Sequence, residues 1–512
     1  MIAERLFKYA LCALVPLLGI IIVREIPIAY SSADYYYYER IFFDFFQQGS
    51  TWSDMYFGPA PGFFTNMLPV WIISLFIDHL SRIFLFHICL YGMITMAVIW
   101  FISRSVAEDY LPSVLAVFMA ILLIIAVGSE NSFWNRPSHH YGSFINLMLA
   151  MYLMVVGINS WKAKLFIYLI VILTVVSDFL FIPVYLAMTG GFLLVYWLSG
   201  EAALKASVLR GVLLVAPVVL GIALHYLITP NVVANPVWAS GLSLREVLTS
   251  ISVHIGAAKF LFVEGVRLPV YWLSLVLGVL AWFSIRDQGP LAKRFLYYLV
   301  AMQCVIWGNI YVSGLADSLV VRYRLFAING ACVLVAISFA ILAFKTRKKE
   351  LLPWLMLVST FALGLGYLLS PDQERIEYVN AQDARYLRLI DQVECVRNVV
   401  EDNGLKSGIS GYKEANPYTV LSGGEVFLYP VKGKSAKPLN WLVSGIGLQR
   451  KYNYALVTAG ITESYYKISR AYYRLGRIVV EKAYGAPLKS ASCGNMEVLI
   501  YPEIPFGRTA GG

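Results

Sequence analysis

The sequence predicts an all-α polytopic membrane domain of about eleven transmembrane helices, followed by a soluble C-terminal α/β domain. Three observations carry this. Of the 512 residues, 59% are hydrophobic and only 14% charged, whereas soluble chains carry about 25% charged residues. The mean hydropathy is +0.67, and long apolar runs recur as far as Ser370. Beyond Ser370 lie 18 of the 41 Lys and Arg and 14 of the 31 Asp and Glu, an ordinary soluble composition. A cytosolic enzyme, a disordered chain and a disulfide scaffold are excluded. The net charge of +10 reads as a signal of membrane topology, and nucleic acid need not be invoked.

The eleven candidate spans are Leu6–Val23, Ile83–Ile102, Tyr110–Gly128, Ser143–Ile158, Leu165–Ser177, Phe179–Leu198, Val208–Ile228, Pro269–Ile285, Phe295–Ser313, Leu325–Phe344 and Leu351–Ser370. The first follows Glu4, Arg5 and Lys8 and has no small-residue cleavage site after it, so it reads as an uncleaved anchor. Phe63–Ile77 is too short for an untilted span, and charge parity decides its reading. If it does not cross, 14 Lys and Arg fall on the cytoplasmic short loops and three (Arg136, Arg322, Arg324) on the outer ones. It is therefore a re-entrant or interfacial helix. The N-terminus is then cytoplasmic, and the loops 24–82, 129–141 and 229–268 and the C-terminal domain face outward, as in a bacterial inner-membrane protein with a periplasmic domain.

Residues 1–370 form the membrane domain and 371–512 the exported one. In the latter, Pro371–Asn403 carries a helical period ending at Gly404, and Tyr418–Leu421, Val426–Tyr429, Ala455–Thr458, Ile478–Val480 and Val498–Tyr501 read as strands. Cys12, Cys89, Cys304 and Cys332 fall in spans. Cys395 and Cys493 are the two in the exported domain, where an oxidising compartment favours a disulfide between them over two buried thiols.

Chemistry-bearing residues collect in the outer loops. Tyr35–Phe46 has a helical pattern with Tyr38, Ile41, Phe42, Phe45 and Phe46 on one face and Arg40, Asp44, Gln47 and Gln48 on the other. Such a helix lies in the interface plane, with its aromatic face in lipid and Asp44 on the solvated face. Asp34 stands at its N-terminus, either as a cap or as a carboxylate able to take a proton from a hydroxyl. Asp54 reads as a turn residue. The loop 129–141 packs Glu130, Arg136, His139 and His140 beside two aromatics. Adjacent His residues lack metal-ligand spacing, so hydrogen bonds to a sugar or phosphate fit better than a metal, and a divalent ion has no support. Asp178 breaks two apolar runs at the outer edge, as a cap or a site residue. Arg322, followed by Tyr323, opens the tenth span and can fork onto a phosphate or meet lipid headgroups. His225, near the outer end of its span, reads as a structural residue.

In their order and common side, Asp34, the Pro59/Pro61/Gly62 approach to a short helix, Asp178 and the Arg322-Tyr323 pair resemble the GT-C class of membrane glycosyltransferases. The likeness is to users of polyprenyl-phosphate sugars, such as lipid A aminoarabinose transferases, protein O-mannosyltransferases and O-antigen-modifying glucosyltransferases. The resemblance implies Asp34 as catalytic base and Arg322 as the holder of the lipid phosphate. Tyr323, Asp178, Arg136, His139, His140 and Glu39 are then substrate-binding candidates. It implies a lipid-linked sugar donor and an envelope glycan or lipid acceptor; no cofactor is certain, and a divalent metal stays open though no ligand spacing supports it. Two features depart from the class: Tyr35, where O-mannosyltransferases have a second acidic residue, and the missing Trp-Trp-Asp of oligosaccharyltransferases. A polysaccharide polymerase or ligase is the alternative reading. A transporter fits less well, lacking internal repeats.

Overall fold

A computed structural model describes residues 36–56, 61–77, 80–107, 110–126, 140–157, 160–201, 203–229, 270–315, 325–345, 373–439, 443–462 and 474–504. Asp34, Arg136, His139, Arg322, Tyr323 and the segments Leu6–Val23 and Leu351–Ser370 lie outside the described residues.

The chain is mostly helical, with a small C-terminal sheet. Helix α1 is Tyr37–Phe46, and the two-residue strand β1 is Met55–Tyr56. A π-helical turn, Phe63–Met67, leads into α2 (Leu68–Ser74). A bundle follows: α3 (Leu80–Ala107), α4 (Tyr110–Ala126), α5 (Tyr141–Gly157), α6 (Trp161–Ser177), α7 (Phe181–Leu198), α8 (Leu204–Ile228), α9 (Val270–Ile285), α10 (Pro290–Leu315) and α11 (Leu325–Lys345).

Among the described residues three helical stretches are long and apolar enough to cross a membrane: Cys89–Ala107, Phe181–Leu198 and Leu204–Ile228. Other apolar helices are shorter, among them Tyr141–Gly157 and Val270–Ile285. This is fewer than the eleven read from hydropathy. Nine of the eleven runs each coincide with one helix, several of these only 16 or 17 residues long, and the other two runs lie outside the described residues. The bundle is apolar on its outside. Val208, Leu209, Val212, Leu213, Val219 and Leu220 of α8 are all at least half exposed, a band that water would not tolerate at this size. Polar side chains such as Ser274, Gln303 and Asn309 are buried within it. Gln303 donates to Ser274 Oγ, and Asn309 Oδ1 accepts the N–H of Ala327, so each group finds a partner inside the bundle.

The charges divide between the two ends. Lys162, Lys164, Lys205, Arg210, Lys293 and Arg294 sit at one end, where Lys293 pairs with Glu201 and Arg294 donates to Ser105 O. The opposite end, where α3 and α5 begin and α6 and α8 finish, carries α1, the π turn and the C-terminal unit.

That unit begins with α12 (Gln373–Asp402), close to the expected helix and stopped before Gly404 (φ +59°). There follow β2 (Gly408–Gly411), α13 (Tyr412–Leu421), β3 (Leu428–Val431), β4 (Val443–Ser444), β5 (Tyr452–Thr458), α14 (Arg477–Tyr484), β6 (Lys489–Cys493) and β7 (Met496–Ile504). The main sheet has the order β3-β2-β5-β7-β6, with β3, β2 and β5 parallel and β7 and β6 antiparallel to their neighbours. Two expected strands are corrected: Tyr418–Leu421 belongs to α13 and Ile478–Val480 to α14. A run of four apolar residues suits a buried strand and the inner face of a helix equally, and the neighbouring turns decide. A disulfide joins Cys395 of α12 to Cys493 of β6 (S–S 2.05 Å).

Candidate functional site

The site forms where the bundle end at which α3 and α5 begin meets α1. Helix α6 stops at Ser177, and Asp178 turns the chain into α7 by accepting the Leu180 N–H at Oδ1 (3.0 Å). That is the capping role. Its other oxygen, Oδ2, accepts from Ser143 Oγ (2.6 Å) and lies 2.7 Å from His140 Nδ1. Asp178 is 3% exposed, so its carboxylate is held by three groups inside the protein. His140 occupies the left-handed region (φ +58°), which is costly for a residue with a Cβ and marks a position the surroundings impose. A carboxylate fixed on Nδ1 orients the imidazole ring and sets which nitrogen carries the proton.

The π turn is clamped to the same corner. The Gly62 N–H donates to Ser177 O (2.9 Å), and the Phe64 N–H donates to Ser177 Oγ (3.0 Å). Gly62 has φ +66°, and a Cβ there would stand 2.3 Å from Tyr38 Oη, so only glycine permits this close approach. Asn66 then bridges two rings: its Nδ2 donates to Tyr38 Oη (2.7 Å) and its Oδ1 accepts from Tyr91 Oη (3.0 Å). Tyr141 and Thr95 extend the network (2.7 Å).

Beside it, Glu39 is fully buried, with Oε1 3.6 Å from His87 Nδ1. Neither Glu39 oxygen has a hydrogen-bond partner, nor do His87 Nε2 and Tyr37 Oη. Orphaned buried atoms are rare in folded proteins, and these four gather on α1 and the facing α3. Burial pushes the Tyr38 phenol far above its ordinary range. His225, expected to be satisfied, is half so: Nδ1 meets Val176 O at 2.8 Å, while Nε2 has no partner.

The other face of α1 departs from its reading. Arg40 and Asp44 are 0% and 2% exposed, buried by the C-terminal unit instead of solvated. Arg40 Nε bonds Asp44 Oδ1 (3.0 Å), and Nη1 donates to Thr419 Oγ1 (2.8 Å) and to Leu428 O (3.0 Å). The guanidinium lies 4.8 Å from the Phe427 ring centroid. Asp44 Oδ2 accepts the Ser444 N–H, and β1 pairs with β4. Burial raises the Asp44 pKa, and Arg40 opposes that rise. Tyr38 and Ile41, expected in lipid, are buried in protein, and only Phe46 of that set is largely exposed (63%). Asp54 closes a capping box with Thr51, as suits a turn residue.

Of the expected site residues, the structure brings together Asp178 and His140, with Glu39 on the neighbouring helix α1. Sequence reasoning missed Ser143, Asn66, His87 and Tyr91. Their spacings along the chain carry no local motif, and only the meeting of α1, α3 and α5 assembles them. Among the described residues no three His, Cys, Asp or Glu side chains group so as to hold a metal ion. No known protein family matches the chain, and neither does any curated protein sequence.

Proposed function

We propose that the protein is a GT-C-like membrane glycosyltransferase that moves one sugar from a polyprenyl phosphate to a hydroxyl of an envelope glycan or lipid. In this reading residues 1–370 span the inner membrane about eleven times, and residues 371–512 lie in the periplasm. The observation that carries the reading is the position of the polar network. Asp178–His140–Ser143, Tyr38–Asn66–Tyr91 and Glu39–His87 stand at the end of the apolar bundle opposite Lys162, Lys164, Lys205, Arg210, Lys293 and Arg294, roofed by α1 and the C-terminal unit. A transporter's site belongs at mid-bundle. A lipid-phosphate donor presents its sugar at the membrane surface, where this network lies.

The acceptor oxygen attacks the anomeric carbon, the carbon–oxygen bond to phosphate breaks, and the phosphate departs with the electron pair, inverting the configuration. Asp34, three residues before α1, takes the acceptor proton, and Arg322 stabilises the charge on the phosphate. Asp178 and His140 hold sugar hydroxyls, with Arg136, His139, Tyr323 and Glu39 as further contacts. The test uses purified protein in detergent with radiolabelled undecaprenyl-phosphate hexoses. Wild type is expected to release or transfer label, and Asp34→Asn and Asp178→Asn to lose at least tenfold of that rate with folding intact. Wild type that consumes no donor of the panel overturns the proposal. Consumption of lipid-linked oligosaccharides alone would favour the ligase reading.

A further inference from the structure

The C-terminal sheet contains a reversal of strand order. From β2 the chain crosses through α13 to β3 on one side, and then reaches β5 on the other side of β2. In open α/β sheets, ligands bind beyond the carboxyl ends of the strands at such a reversal. Here that edge holds the β6–β7 turn, because the antiparallel β7 starts beside the end of β5: Thr458 pairs with Met496, and the Ala459 N–H donates to Asn495 O (2.9 Å).

A cavity of about 430 Å³ opens between this turn and α12, lined by Arg388, Asp391, Gln392, Gly494, Asn495 and the Cys395–Cys493 disulfide. The volume falls in the range of roughly 300–1,000 Å³ that small-ligand sites occupy. Its floor is built. Gln392 is 8% exposed, accepts from Tyr418 Oη (3.1 Å) and donates from Nε2 to Asn495 Oδ1, so the amide is held in one orientation. Gly494 has φ +69°, and a Cβ there would stand 3.0 Å from Gln392 Nε2, so any other residue would be strained and would press on the held amide. The disulfide fixes the spacing of the two walls. On the same edge, one turn before Tyr418, Glu414 is 8% exposed with Oε2 unpartnered, and Thr458 is 7% exposed with Oγ1 unpartnered.

The lining defines the ligand class. The Arg388 guanidinium, the Asp391 carboxylate and the Asn495 amide offer donors and acceptors beside the apolar surface of the disulfide, which suits a polyol with hydroxyls on its rim and C–H groups on its faces. A phosphate is disfavoured, because the Asp391 carboxylate stands in the same lining as Arg388.

We propose that this crevice is a saccharide-binding site taking one or two sugar units of the acceptor glycan. The choice of a glycan over other polyols rests on the transferase reading. The full-length protein in detergent would be examined by saturation-transfer difference NMR with neutral trisaccharides of glucose, mannose and rhamnose. At least one is expected to receive saturation, and Asp391→Ala and Asn495→Ala, both at exposed positions, to weaken binding tenfold or more. Asp391→Ala should leave hydrolysis of undecaprenyl-phosphate hexose unchanged. Displacement of the trisaccharide by undecaprenyl-phosphate glucose would assign the crevice to the donor's sugar and overturn the acceptor assignment, and its absence supports that assignment. No signal from any trisaccharide, or a signal that both variants leave intact, overturns the site. Glycan binding by a protein that consumes no donor would refute the transferase reading while leaving the crevice standing.

Discussion

Replacing Arg40 with Ala tests how α1 is tied to the C-terminal unit. The side chain is fully buried and makes one ion pair, two further hydrogen bonds and two ring contacts, three of these five to residues more than 370 positions away. Truncation leaves the Asp44 carboxylate, 2% exposed, without its cation. Removing one partner of a buried pair costs roughly 3–5 kcal/mol, mostly from the charge left behind. At about 1.4 kcal/mol per decade, the lower figure alone predicts a roughly 150-fold faster opening. Hydrogen exchange of the α1 and β4 amides in detergent reads this directly. Burial already raises the Asp44 pKa, and loss of Arg40 raises it further, so the orphaned group is neutral at low pH and charged at high pH. The defect should therefore shrink at pH 5 relative to pH 8, and a second change, Asp44→Asn, should recover part of it at pH 8. Exchange accelerated by less than threefold, or a defect independent of pH, would refute the clamp.

Other outcomes are checked by simpler means. Glu414 has its pKa raised to about 7 by burial, with Arg474 at 3.7 Å opposing the rise. The folded state thus holds a proton that the unfolded chain releases near pH 4.5, so stability of the C-terminal unit should fall from pH 4.5 to 7 by roughly 3 kcal/mol and then level off. Urea unfolding of wild type against Glu414→Gln, which should flatten that slope, measures it. The Cys395–Cys493 bond closes a loop of 98 residues, and Cys395→Ser should lower stability by roughly 3–5 kcal/mol, read in the same titration. Gly62→Ala forces both a positive φ and a clash with Tyr38, so it should slow sugar transfer at least tenfold while leaving the C-terminal unit's urea midpoint unchanged.

What the sequence revealed follows from the range of the interactions involved. Helices in the bundle are legible because apolar composition acts within each segment, and α12 because its stop at Gly404 is local. The turn at Asp178 was visible because a carboxylate interrupting two apolar runs has few reasons to be there. The burial of Arg40 and Asp44 was not visible. Their helical pattern gives a polar face, and a polar face meets water or a protein partner with equal ease. The partner, Thr419 and Leu428, lies some 380 residues on. The strands Gly408–Gly411 and Lys489–Cys493 escaped because Gly, Ser and Lys dominate them. β2 is buried by its sheet position, flanked by parallel strands on both sides, whereas β6 is an edge strand and mostly exposed.

Helix α1 is short, yet both halves of the protein are fastened to it. Tyr38 and Glu39 reach the bundle through Asn66 and His87, while Arg40 and Asp44 reach the C-terminal unit through Thr419, Leu428 and Ser444. These four residues are within two turns, so a rigid displacement of the C-terminal unit cannot leave Glu39 and Tyr38 where they are unless the Arg40 contacts break. Breaking them exposes a buried pair to partial solvation, whereas moving α1 strains the Tyr38–Asn66 hydrogen bond, the Glu39–His87 contact at 3.6 Å and the ring contacts of Phe45 and Phe46 with Trp71. Motion of the C-terminal unit should therefore be transmitted into the corner beside Asp178, and a variant that loosens the Arg40 clamp should uncouple the two.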